Sequence, residues 1–113
     1  MTVAGTALAA GLAALAQAQG HDPSYVRNIA GTCTPCHGTE GRSVGGVPPS
    51  LAGQDKGYLL QQLKDFRSGS RAATIMHQHA KGYTDEQLEL IAAYFSGIKP
   101  GAGVAAPAAR GSY

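Results

Sequence analysis

Tryptophan is missing from this 113-residue chain, and phenylalanine occurs only twice. So small a stock of large apolar side chains limits the core to a thin one, and a chain of this length holds one domain at most. Lys and Arg are scattered without a run, and the formal charge is only +2. That excludes the strongly basic face by which nucleic acid or an anionic membrane is recognised. No stretch alternates polar and apolar residues as a half-buried strand does, and no segment repeats another. The apolar stretch near the start, residues 3–16, falls short of the ~20 residues that a bilayer span takes. Cysteine occurs only at Cys33 and Cys36, so there is no second cysteine pair to complete a structural zinc site.

Glycine, by contrast, occurs 16 times and proline 6 times, which predicts long irregular loops. The opening "MTVAGTALAAGLAALAQAQG" has no charged side chain before Asp22. Ala16-Gln17-Ala18 matches the small-x-small cleavage pattern of an exported protein, which predicts a signal peptide over residues 1–18. It lacks the usual positive n-region, which points to a truncated or misassigned start. The mature chain is then periplasmic, with no membrane span. Residues 100–113, rich in Gly, Ala and Pro, read as a disordered tail. The folded domain is expected within residues 19–99.

Three helices are predicted there, and the class is all-α. Asp22 and Pro23 make an N-cap and first-turn pair, and Val26, Ile29, Ala30 and Cys33 then share one helical face. Gly31 lies inside that pattern and would permit close approach of another backbone. A second helix runs from about Lys56 to Ser68, capped by Asp55 and stopped by Gly69, with Leu59, Leu60, Leu63 and Phe66 on its apolar face. In the third, Thr84 and Gln87 form a capping box, and Leu88, Ile91, Ala92 and Phe95 make the stripe. Between the first two lies "GTEGRSVGGVPPSLAGQ". A loop that long in so small a domain needs something to pack against.

Cys33-Thr34-Pro35-Cys36-His37 supplies it. The pentapeptide C-x-x-C-H is the attachment pattern of c-type haem: each thiol adds to a vinyl group, and the adjacent His37 reaches the iron from one face. A redox dithiol or disulfide could also use C-x-x-C, but leaves His37 without a purpose. A zinc site would need two further ligands, and His77 and His79 are closer together than the usual zinc-binding histidine pair. One covalent haem c also answers the thin core. Burying on the order of 500 Å² of porphyrin is worth up to ~12 kcal/mol. That matches the whole net stability of a domain, about 5–15 kcal/mol.

With these features in order, the chain resembles the class I cytochromes c of bacteria. The resemblance covers about Tyr25 to Gly97 and rests on "CTPCHG", "PSLAGQDKGYLLQQLKDFRSGSR" and "TDEQLELIAAYFSG". The second of these is similar to cytochrome c4-type domains. "AATIMHQHAKGY" is similar to the single-haem cytochrome subunits of flavocytochrome c sulfide dehydrogenases. The resemblance implies a small fold of three main helices and long loops around the haem, with the first and last helices crossing near its edge. Gly31 and Tyr94 are the contact residues expected there. It also implies that the Pro49 carbonyl accepts a hydrogen bond from the ring of His37, and that Met76 supplies the distal ligand.

The residues themselves leave His77 and His79 as rivals to Met76, and an open site as a further alternative. Met76 is the one thioether left once Met1 departs with the signal peptide, and a thioether favours Fe(II) over a second imidazole. His77 and His79 then read as surface or interface residues, and His21 as solvated. The implied function is single-electron transfer without bond-making chemistry in this chain. The resemblance points to an FAD-containing sulfide dehydrogenase subunit as donor and a soluble acceptor. A free c4-like shuttle to a terminal oxidase is the alternative, and a haem peroxidase or sensor with an open sixth position the third reading.

Overall fold

The structure, a computed structural model, describes residues 21–101. The predicted signal peptide and the tail from residue 102 onward lie outside the described residues. Within them the secondary structure is helical throughout, as expected: α1 (Pro23–Gly31), α2 (Thr34–His37), a 3₁₀ turn (Thr39–Gly41), α3 (Lys56–Ser68), α4 (Met76–Lys81) and α5 (Asp85–Ser96).

The caps explain the boundaries. Asp22 accepts from the Ser24 backbone N–H at 2.8 Å and opens α1. Asp55 does the same for Tyr58 at the start of α3, and Gly69 ends that helix in the left-handed conformation. At α5 both halves of the capping box form: Gln87 N–H donates to Thr84 Oγ1 at 3.2 Å, and Thr84 N–H to Gln87 Oε1 at 3.0 Å.

The predicted first helix does not run through Cys33. It stops at Gly31, and the chain restarts at Thr34 with Cys33 as the N-cap. Proline is the cause. Pro35 has no N–H to give to the Gly31 carbonyl, and the Thr34 hydroxyl donates to that carbonyl instead, at 2.8 Å. A second difference is α4, which was not foreseen because six residues are too few to show a period.

Both α1 and α3 pack on α5, and α4 packs on α3. Their meeting faces form the core of Ala30, Cys33, Leu59, Ile91, Ala92 and Phe95, with Leu51, Leu60, Leu63, Tyr94 and Ile98 around it. Phe95 and Leu88 are the largest fully buried side chains. The Tyr94 ring meets Phe95 edge-on with centroids 5.2 Å apart. Gly31 does not serve the expected close approach: a Cβ added there would meet nothing within 4 Å. Ala30, its fully buried neighbour, is the small residue on the packed face. His21 also differs from its solvated reading, since its Nε2 lies 2.8 Å from Glu86 Oε1 and its ring stacks on Tyr25.

Candidate haem site

The break between α1 and α2 buries Cys33 and His37, each 7% exposed, while Cys36 stays exposed between them. No disulfide joins the two cysteines. Gly38 ends the turn with φ +88, where a Cβ would sit 2.0 Å from the Arg42 carbonyl oxygen. Only glycine passes this point, so the residue after His37 is fixed by backbone contact rather than by chemistry.

From Gly38 the chain leaves through the 3₁₀ turn and folds back on itself. Leu51 and Ala52 N–H groups both donate to the Gly41 carbonyl, at 2.7 and 3.1 Å. Ser43 N–H donates to Ser50 Oγ at 2.9 Å. This closed loop presents the Pro49 carbonyl oxygen 2.7 Å from His37 Nδ1. A carbonyl can only accept, so Nδ1 carries the proton and Nε2 keeps its lone pair. Burial lowers the His37 pKa, against the Pro49 bond, which raises it, and charge on His79 lowers it further. The neutral form is therefore favoured, the form in which imidazole binds a metal. Burial likewise pushes the Cys33 thiol up.

The distal candidates come from α4. Met76 opens that helix and is partly buried, with Ile75 before it exposed. His77 and His79, expected at the surface or an interface, are both partly covered, and His77 Nδ1 and His79 Nε2 are buried without a hydrogen-bond partner. The His79 ring stands edge-on to Tyr83 with centroids 6.2 Å apart. The Tyr83 hydroxyl in turn bonds the Thr32 hydroxyl, one residue before Cys33. This link between the segment after α4 and the Cys33 turn was missed in the sequence, because Thr32 and Tyr83 carry no pattern that pairs them.

The donor set suits an iron porphyrin: two thiols with two residues between them, in the i, i+3 relation, a neutral imidazole with its proton on Nδ1, and soft or unpartnered ligands on α4. Among the described residues no three His, Cys, Asp or Glu side chains gather to hold a metal ion, so the four-ligand zinc reading has no counterpart there.

The cytochrome c family model matches residues 26–99. The chain belongs to the cytochrome c family. It is 48% identical over 67 residues to the cytochrome subunit of sulfide dehydrogenase of Chlorobaculum tepidum, covering 59% of this chain and 60% of that one. To cytochrome c4 of Pseudomonas aeruginosa it is 39% identical over 100 residues, covering 88% of this chain and 49% of the relative. A solved cytochrome c4 from Acidithiobacillus ferrooxidans is 46% identical, with a TM-score of 0.55 over 58% of this chain and 38% of the other. This chain thus spans about half the length of these relatives. As a member of the family it has the small all-α class I fold, carries one covalently bound haem c and transfers electrons. No helix among the described residues is long and apolar enough to cross a membrane.

Proposed function

We propose that this cytochrome accepts single electrons from a flavoprotein sulfide dehydrogenase subunit and passes them to a soluble acceptor in the periplasm. Cys33 and Cys36 would hold the haem by thioether bonds, with His37 and Met76 as the proximal and distal iron ligands. When bound, the haem supplies a one-electron Fe(III)/Fe(II) couple. The protein residues do the rest. The Pro49 carbonyl holds the His37 ring in one tautomer and orientation and raises its basicity. The Thr32–Tyr83 bond ties the segment that follows α4 to the attachment turn, which would hold Met76 within reach of the iron. With His37 and Met76 both bound to the iron, no position would be left for substrate, which would give this chain a carrier's role rather than a catalyst's. Export is supported by the signal-like start and by covalent haem attachment in a chain with no other cysteine. The domain limits 19–99, with 1–18 removed, belong to the same proposal.

The observation that carries the partner is the 48% identity to a sulfide dehydrogenase cytochrome subunit. The test mixes the holoprotein anaerobically with sulfide and the flavoprotein from the same source, and follows the haem bands. Rapid reduction only when all three are present is expected, together with co-purification of a flavin-containing chain. A haem that stays oxidised in the complete mixture sinks the partner assignment. A free c4-like shuttle is the second reading, favoured by the wider coverage of this chain by cytochrome c4, 88% against 59%. Equal reduction by unrelated donors, and elution as a lone chain, would favour it.

A further inference from the structure

Helix α4 carries a methionine and two histidines, and its geometry sorts them. Residues three apart share a helical face, whereas adjacent ones diverge by about 100°. Met76 and His79 therefore lie on one side and His77 on another. The surroundings agree. His77 lines a cleft of about 250 Å³ at the C-terminal end of α3, with Phe66, Arg67, Arg71 and Lys81. His79 instead meets Tyr83, whose hydroxyl bonds Thr32 beside Cys33. Its Nε2, like His77 Nδ1, is buried and unpartnered, but only the His79 ring is placed toward the attachment turn, where its charge is felt by His37. A buried polar nitrogen without a partner is a rarity that calls for one. The chemistry beside Cys33 that an imidazole nitrogen can satisfy is the iron.

We propose that His79 is the reserve distal ligand of this cytochrome, the imidazole whose Nε2 takes the sixth position when the Met76 thioether leaves it. The proposal rests on the assignment of Met76 made above. The exchange breaks one thioether–iron bond and forms one nitrogen–iron bond, and moves neither an electron nor a proton. Since a second imidazole lowers the reduction potential relative to a thioether, such an exchange would convert a good electron acceptor into a poorer one.

The test uses the full holoprotein and optical and electron paramagnetic resonance spectra. Met76→Ala is expected to remain six-coordinate and low-spin, with bis-imidazole features and a lowered potential. Adding His79→Leu is expected to abolish that state and give a high-spin haem that binds carbon monoxide readily on reduction. Adding His77→Leu instead should leave it intact. Met76→Leu, which keeps the volume, replaces the alanine variant if that one does not accumulate. A high-spin spectrum in the Met76 variant, or a low-spin one that survives loss of His79, overturns the proposal. His79→Leu alone should leave the parent spectrum unchanged. If it does not, His79 is the resting ligand, and the Met76 assignment falls together with the reserve role. Failure in the double variant with an intact parent spectrum removes the reserve role alone.

Discussion

Gly41→Ala should be among the costliest one-carbon changes in this protein, and its cost can be worked out from two separate causes. Gly41 has φ +74, in the left-handed region, where an L side chain costs roughly 1–2 kcal/mol. The added Cβ would also lie 2.6 Å from Phe95 Cδ1, 2.8 Å from Cε1 and 3.1 Å from Leu51 Cβ. Phe95 is 1% exposed, so its ring has nowhere to retreat, and overpacking of this kind costs about 1–3 kcal/mol. The total is about 2–5 kcal/mol, the sum of those two ranges. Gly45 supplies the control. Its φ is +86, but nothing lies within 4 Å of its Cβ position, so Gly45→Ala bears the backbone cost alone. Guanidinium unfolding of the two holoproteins should therefore separate them by about 1–3 kcal/mol at equal m-value. The site gives a second readout, because the Gly41 carbonyl anchors Leu51 and Ala52, and through them Pro49. Displacing it should shift the His37 ring signals in the holoprotein, while Gly45→Ala leaves them in place. Adding Phe95→Leu to Gly41→Ala should recover part of the loss, a coupling that independent sites do not show. If the two alanine variants are equally stable, the contact with Phe95 is not what constrains Gly41, and the reasoning fails.

Two further outcomes follow from caps and charges. Thr84→Ala removes a capping box in which both bonds are made, and should lower stability by about 0.5–2 kcal/mol in thermal or denaturant unfolding. The Arg67 guanidinium beside Asp85, by hydrogen bond and by charge, holds that carboxyl below its ordinary 3.8. A depressed carboxylate pKa stabilises the fold fully above the unfolded value and ceases to do so as pH falls through the folded one. The stability advantage of the parent over Asp85→Asn should thus be constant above pH 3.8 and shrink below it. Unfolding curves taken across that range check it, and an advantage that grows on acidification contradicts the sign.

Much was decided by short-range chemistry, and there the sequence sufficed. Asp22, Asp55 and Thr84 cap their helices because a side-chain oxygen meets an orphan N–H two or three residues on, whatever the rest of the chain does. The haem follows from Cys33 to His37 by spacing alone, and the thin aromatic supply already called for a cofactor in the core. What the sequence could not place were contacts between residues far apart. The Thr32–Tyr83 bond, the burial of His79 Nε2 and the overlap of Gly41 with Phe95 depend on how α4 and α5 fold back over the attachment turn. Gly31 fared the opposite way: its position in a helix suggested a close approach, and the packing used Ala30 instead. Local rules fix which groups a residue can satisfy within a turn. Only closure of the chain determines which distant groups it meets, and here that closure sets His79 against Tyr83 and His77 in the cleft beside α3.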